Sequence, residues 1–289
     1  MKIGIIGMGI VGGNTAEVFS RVHDIYSYDK YKHPYEKQEN IESLAKNSEV
    51  VFICVPTPMK HRGDIDYTPM INSLDLLLET TNNVKRNPND ILVTVRSTAV
   101  SGTTDEFAKR YPFKFAFNPE FLKERSALED MLHTDRIVIG VEDEESKQKL
   151  FGVYNPLFPN VKYIITNRKT AETIKYANNV MLAGQIALAN ELYQICKVIG
   201  VDYEDVKNAL LLDPRIGRNI EVPGPDGDLG FGGKCFPKDL NAFIDLARQN
   251  HYRAYLFEEV WRLNEEVRRN KDWLNIPGAV SGNDNFTSR

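Results

Sequence analysis

A doubly wound, mostly parallel α/β sheet followed by an α-helical domain is the fold class that this sequence predicts. Three observations carry it. A short apolar run leads into a glycine-rich turn and then into a helical stretch at residues 2–21. Similar apolar runs recur down the first half of the chain with helical stretches between them, which is the order of a parallel sheet with crossover helices. From residue 170 to residue 199 the pattern then turns into one long helical period.

The elements follow in order. Residues 2–6 read as a buried strand, residues 15–21 as a helix, and residues 25–28 as a second strand ending at Asp29. Residues 50–55 form a continuous apolar run of the kind found inside parallel sheets. Residues 91–95 and 114–117 repeat it, and residues 136–141 and 161–166 complete the sheet. Domain boundaries are expected at residues 1–166 for the sheet domain and 167–275 for the helical domain, with 276–289 a loose tail rich in Gly, Ser and Asn. On the long helix Ile174, Ala177, Met181, Ile186, Leu188, Leu192 and Ile195 spread around much of the circumference. A helix apolar on more than one side needs more than one neighbour, so a homodimer built on it is expected. Further helices are expected over residues 203–212, 240–249 and 256–269.

Length and composition set the limits. The 289 residues suffice for two domains of ordinary size. Hydrophobic residues at 42% and charged residues at 26% are ordinary for a globular protein. With 36 Lys and Arg against 40 Asp and Glu there is no basic surplus to suit a nucleic acid. No run approaches the roughly 18 apolar residues of a membrane span, and the first residues do not resemble a secretion signal. Cys54, Cys196 and Cys235 are too few and too scattered for a disulfide framework or a zinc site, so a reducing cytoplasm fits best and no metal is expected.

Gly7-Met8-Gly9-Ile10-Val11-Gly12 has the spacing of a dinucleotide fingerprint. The first glycine permits the turn, the second lets a pyrophosphate approach the backbone, and the third lets helix and strand pack closely. Asp29, at the end of the second strand, is placed to accept hydrogen bonds from an adenosine ribose and would repel a 2'-phosphate. NAD is therefore the expected cofactor, on a Rossmann-type sheet.

Five further segments bear on the reaction: Val55-Pro56-Thr57-Pro58; Arg96-Ser97-Thr98; Asn118-Pro119-Glu120-Phe121-Leu122-Lys123-Glu124; Lys175 with Asn179; and Gly230-Phe231-Gly232-Gly233-Lys234-Cys235-Phe236-Pro237-Lys238-Asp239. In this order and spacing they resemble the UDP-glucose and GDP-mannose dehydrogenase family over roughly residues 1–270. The resemblance implies an NAD-dependent, four-electron oxidation of the C6 alcohol of a nucleotide-linked hexose to a carboxylate. Thr134-Asp135-Arg136-Ile137-Val138-Ile139-Gly140 is similar to the UDP-glucose branch, whereas Arg96-Ser97-Thr98 is also similar to the GDP-mannose enzymes. A UDP-sugar is the expected substrate.

The residues fit that chemistry on their own terms. Cys235 lies in a glycine-rich segment before Pro237, at what should be a helix start, and Lys234 and Lys238 flank it. All of these favour a thiolate able to capture an aldehyde. Cys54 in its apolar strand and Cys196 on its helix read as structural. Lys175 and Asn179 are one helical turn apart and share a face. The resemblance implies that Lys175 stabilises or transfers protons at the reacting oxygen, that Asn179 holds substrate and water, and that Glu120 is the base that activates water. It likewise implies that Asp239 orients that water and Lys175, and that Thr98 brings a hydroxyl near the hydride path. Contacts to cofactor are implied for Val55, Pro56, Thr57, Ser97, Glu124 and Lys238. Contacts to substrate are implied for Phe121, Leu122, Lys123, Phe231 and Gly232, and for Arg215 reaching into a neighbouring subunit. Full-length members of the family continue into a third domain over the nucleotide, and nothing after about Asn275 resembles it. The readings that follow are a working short enzyme completed by a dimer or by a separate partner, a dehydrogenase for another sugar nucleotide, and an NAD-binding assembly module without catalysis.

Overall fold

A computed structural model describes residues 1–60 and 63–281. The chain forms two compact units, Met1–Thr57 with Asp66–Lys175, and Pro58–Ile65 with Tyr176–Arg289.

In the first unit β1 (Lys2–Ile6), α1 (Ile10–Phe19), β2 (Asp24–Tyr28), α2 (Gln38–Asn47), β3 (Val50–Ile53), α3 (Thr68–Asn83) and β4 (Leu92–Val95) alternate in the expected way. They are followed by α4 (Thr103–Arg110), β5 (Lys114–Phe117), α5 (Ala127–Leu132), β6 (Arg136–Gly140), α6 (Glu144–Tyr154) and β7 (Lys162–Thr166). The seven strands form one sheet in the order β2-β1-β3-β4-β5-β6-β7. Every neighbouring pair is parallel except β5 and β6, which meet antiparallel at Phe117 and Gly140.

Both faces of this sheet are covered, and for that reason its strands lack polar alternation. Val51, Ile53, Val93, Val95, Phe115 and Phe117 point into one apolar cluster. Their neighbours Val50, Phe52, Leu92 and Ala116 point into another, as the two-residue period of a strand requires. The helix expected from residue 15 starts earlier, at Ile10, because Gly12 is packed against the turn before it: a Cβ there would lie 1.8 Å from Gly7 O. The low intrinsic helix propensity of glycine is overridden by that packing.

The long helix α7 (Arg168–Ile199) begins in the first unit. The division falls inside it, past the expected boundary near residue 166, because Ala171 and Ile174 pack into the sheet's own core. Glu172, fully buried, caps α4 from this helix, accepting from Gly102 N at 2.5 Å, Thr104 N at 2.8 Å and Thr104 Oγ1 at 2.6 Å.

The second unit contains the rest of α7 with α8 (Tyr203–Leu210), α9 (Phe236–Gln249) and α10 (Tyr255–Val267). Val180 and Ala183 of α7, Leu240 and Ile244 of α9, and Val260 of α10 form its main core. Helix α9 starts at Phe236, before the expected residue 240, with Pro237 in its first turn, where the missing N–H costs nothing. Part of the expected loose tail is fixed. Met59 N donates to Ala279 O at 2.8 Å and Ser281 N to Met59 O at 2.8 Å, so residues 276–281 are tied to the Pro58–Ile65 segment, and residues 282–289 lie outside the described ones. Among the described residues no helix is long and apolar enough to cross a membrane.

Candidate active site

At the carboxyl ends of the parallel strands of the first unit, the chain turns into the segments singled out above. Gly7 follows β1 with φ of +94°, and its own Cβ position would fall 2.7 Å from Cys54 O, so only glycine fits. A Cβ on Gly9, by contrast, would meet nothing within 4 Å. The turn is thus closed behind Gly7 and Gly12 and open in front of Gly9, where the first N–H groups of α1 face outward beside the exposed Ile10 and half-buried Val11. The Asp29 carboxylate accepts from Met8 N at 2.7 Å, Tyr31 N at 2.9 Å and Lys32 N at 3.1 Å, which fixes its direction and leaves acceptor capacity on its oxygens. The open cradle and the fixed acid fit a dinucleotide: pyrophosphate over Gly9 and ribose on Asp29. Ser97 Oγ donates to Val55 O at 2.6 Å and so joins two of the expected cofactor segments. Thr57 and Ser97 are buried and Thr98 is half-buried.

Beyond β5, Asn118 is held from three sides. Its Oδ1 accepts from Arg96 Nη1 and from Tyr154 Oη, and its Nδ2 donates to Val138 O at 2.8 Å. The antiparallel β6 runs past the end of β5 and supplies that carbonyl. With Asn118 fixed and Pro119 restricting the backbone, Glu120 projects in one direction. Glu120 Oε1 accepts from Lys175 Nζ at 2.9 Å, Glu120 Oε2 accepts from Leu122 N at 2.6 Å, and Lys175 Nζ also donates to Glu120 O at 2.7 Å. The two side chains are 10% and 5% exposed. Burial pushes the Glu120 carboxyl up, but the Lys175 ammonium, the Leu122 N–H and the more distant Arg96 outweigh it and hold the group below the usual carboxylate range. Glu120 is therefore an anion at neutral pH, and a base by its protonation state. The Phe121 ring lies 4.2 Å from the Arg136 guanidinium and 5.6 Å from Lys175 Nζ, a cation–π arrangement on both. Lys123 and Glu124 are exposed.

The second unit holds the other expected groups. Cys235 is the N-cap of α9 and is exposed, while Cys196 is buried. Behind Cys235, in the first turn of α9, the Asp239 carboxylate accepts from Asn179 Nδ2 at 2.6 Å and from Lys238 Nζ, and all three side chains are buried. Asp239 N donates to Cys235 O at 2.8 Å. Phe231 is buried, its ring edge-on to that of Phe236. Arg215 is exposed and held by Asp213, through Nε at 2.9 Å and Nη2 at 2.6 Å.

The structure thus joins Gly7, Gly9 and Gly12 with Asp29, Val55 with Ser97, Glu120 with Lys175, and Asn179 with Lys238 and Asp239. Sequence reasoning missed Tyr154 and the roles of Arg96 and Arg136. The one available signal was Arg96 itself, a charge at the end of an apolar strand run; nothing in the sequence ties Tyr154 to Asn118, 36 residues away.

A glycine-rich turn and acid on a doubly wound sheet, with an exposed cysteine at a helix N-terminus and a buried lysine–glutamate pair, define a nicotinamide-dependent dehydrogenase type of architecture. The family profile described as the UDP-glucose/GDP-mannose dehydrogenase NAD binding domain matches residues 24–158, and that of the same family's central domain matches residues 169–266. The UDP-glucose 6-dehydrogenase AglM of Haloferax volcanii is 33% identical over 306 residues, 92% of this chain and 70% of that protein. The UDP-glucose 6-dehydrogenase of Rickettsia felis is 37% identical over 227 residues, 76% of this chain and 48% of that protein. The structure of a UDP-glucose dehydrogenase from Pyrobaculum islandicum superposes with a TM-score of 0.79 at 32% identity, covering 92% of this chain and 68% of that one. The chain belongs to the UDP-glucose/GDP-mannose dehydrogenase family, with its NAD-binding and central domains. It spans about half the length of the first curated relatives it matches.

Proposed function

We propose that this protein oxidises the C6 alcohol of UDP-glucose to the carboxylate by a four-electron, NAD-dependent route through Cys235. The observation that carries the reading is an exposed cysteine at the head of α9 above a buried Asn179–Asp239–Lys238 cluster, in a chain that also holds an ionised, buried Glu120. Two molecules of NAD in succession, each of which Gly7, Gly9, Gly12 and Asp29 would hold, would supply the acceptors for the two hydrides that the substrate carbon loses.

The protein's own groups account for the remaining bonds and protons. The Lys175 ammonium donates a hydrogen bond to the oxygen on C6 and steadies the charge it gathers as its proton leaves to solvent water and the alcohol becomes an aldehyde. The Cys235 thiolate then forms a C–S bond to the aldehyde carbon, and the oxygen regains a proton, giving a thiohemiacetal. Loss of that proton with the second hydride leaves a thioester on Cys235. Glu120 removes a proton from water, the hydroxide oxygen bonds to the acyl carbon, and the C–S bond breaks to return the thiolate and release the acid. The helix N-terminus at Cys235 favours the thiolate both as nucleophile and as leaving group.

We assign Arg215 to the substrate site of a second copy, in a dimer formed along the exposed apolar side of α7. Contacts to the nucleotide end are assigned to the second copy or to a separate polypeptide. A reducing cytoplasm suits a reactive thiol. Mixing the purified chain with UDP-glucose and excess NAD and quantifying NADH per uronate is the test. Two NADH per acid, abolished by Cys235→Ser, supports the reading; no NADH at saturating NAD, with or without a supplied C-terminal region, overturns it.

A further inference from the structure

The segment before Cys235, residues 223–234, has no regular secondary structure and is rich in glycine, with Gly227, Gly230 and Gly233 at positive φ. Such a chain should be expensive to hold in one conformation. It is held nonetheless by side chains from the end of α10 and just after it. Asn264 pairs with the Phe231 backbone in both directions, Oδ1 accepting from Phe231 N at 2.7 Å and Nδ2 donating to Phe231 O at 3.0 Å. Arg268 donates to Leu229 O at 3.3 Å and to Asp226 Oδ2 at 2.6 Å. Asp272 accepts from Gly233 N at 3.1 Å on both oxygens. Gly230 N donates to Asn190 Oδ1 at 2.9 Å.

The approach is close enough to exclude side chains. A Cβ at Gly230 would lie 2.3 Å from Asn264 Oδ1, and one at Gly232 would lie 2.2 Å from Arg268 Nη2. Asn264, Arg268 and Asp272 recur every fourth residue, and the first two are 1% and 3% exposed. Apolar side chains would seal α10 at less desolvation cost. Polar groups buried there, and aimed at one stretch of backbone, specify the shape of that stretch. The shape reaches the cysteine by two routes, Gly233 two residues before it and the Phe231 ring packed on Phe236, the first residue of α9.

We infer that Asn264, Arg268 and Asp272 are positioning residues for Cys235, fixing residues 226–233 so that the thiol is presented at the N-terminus of α9. The inference rests on the catalytic reading of Cys235, but its test does not need turnover. Cys235 in the full chain is alkylated with iodoacetamide across a pH series, and its peptide is quantified by mass spectrometry apart from those of Cys54 and Cys196. Asn264→Ala and Asp272→Ala should raise the pH midpoint of Cys235 alkylation by about one unit and slow the reaction at pH 7 by up to about tenfold. Asp272→Asn, which keeps an acceptor for Gly233 N, should restore most of the rate. In turnover, kcat should fall in Asp272→Ala more than KM rises, because its partner Gly233 lies outside the expected substrate contacts at Phe231 and Gly232. Asp272 is partly exposed, so its variants remain informative if Asn264→Ala does not fold. A cooperative melt together with a wild-type alkylation profile in Asp272→Ala would overturn the inference. Absence of oxidation by the parent protein would count against the catalytic reading alone, because the alkylation comparison still decides this one.

Discussion

Lys175 and Glu120 meet at 2.9 Å with almost no solvent around them, so neither charge tolerates the loss of the other. Lys175→Met strands a buried carboxylate and is expected to destabilise the protein by about 3–5 kcal/mol in denaturant melts, with Glu120→Gln added on top recovering much of it. Glu120→Gln alone should spare formation of the thioester and slow its hydrolysis by about 10²–10⁴-fold, so that acyl-enzyme on Cys235 accumulates and is detected by intact mass. Because the folded pKa of Glu120 is lowered, the stability it contributes is present above its unfolded pKa and is lost as pH falls through the folded one. Glu172 behaves in the opposite way. Burial pushes it up to about 7, against the hydrogen bonds from Thr104 and Gly102. Its contribution is full below the unfolded carboxyl pKa of about 4.3 and is lost as pH rises to about 7, a change of at most about 4 kcal/mol. Melts from pH 5 to pH 8 should show that decline in the parent and a flatter line in Glu172→Gln. At this scale the sequence exposed the groups that do chemistry, because Cys235, Lys175 and Glu120 sit in specific local patterns. It concealed the groups that hold them. Tyr154 reaches Asn118 only because α6 folds back across the sheet, and Glu172 becomes a cap only when α7 lies against α4.

At the scale of elements, the cofactor turn makes a separable prediction. Gly12→Ala forces a Cβ onto Gly7 O and should destabilise the fold by about 1–3 kcal/mol. Gly9→Ala meets open space, so it should melt within about 0.5 kcal/mol of the parent yet lose at least about tenfold in NAD affinity by titration calorimetry. Equal effects of the two on melting would show that the opening before Gly9 is not the pyrophosphate cradle. The strands were legible because a sheet covered on both faces selects continuous apolar runs, and observed and expected strands differ by a residue or two at their ends. Apart from α1, read over residues 15–21, the helices around the sheet were not individually legible. They are short and need only one apolar stripe each, as in α2, where Ile41, Leu44 and Ala45 suffice. The start of α9 was legible from Pro237, which suits a first turn, whereas apolar periodicity alone put it at residue 240.

For the whole molecule, self-association is the proposal most open to measurement. Met181, Leu188, Leu192, Ile195, Val198 and Ile199 of α7 are exposed, Leu188 by 67%. Six large apolar groups along one helix exceed what a solvated face usually carries. Sedimentation equilibrium should give a dimer, and Leu188→Glu should shift it to monomer with no loss of helical circular dichroism. A monomeric parent protein would remove Arg215 from the site as well.

The Pro58–Ile65 segment bears on how the chain can be divided. Leaving one unit after Thr57, it pairs Met59 with Ala279 and Ser281 of the other, and returns at Asp66. With α7 the backbone therefore passes between the units three times. No single cut yields two self-contained pieces. A fragment ending at Lys175 would carry an orphaned strip whose partners lie more than two hundred residues downstream, and one starting at Tyr176 would lack the strip that Ala279 and Ser281 grip. Autonomous expression, circular permutation or transplantation of either half calls for a linker replacing residues 58–65, and modular exchange of the cofactor-binding half among relatives is constrained by the same threading.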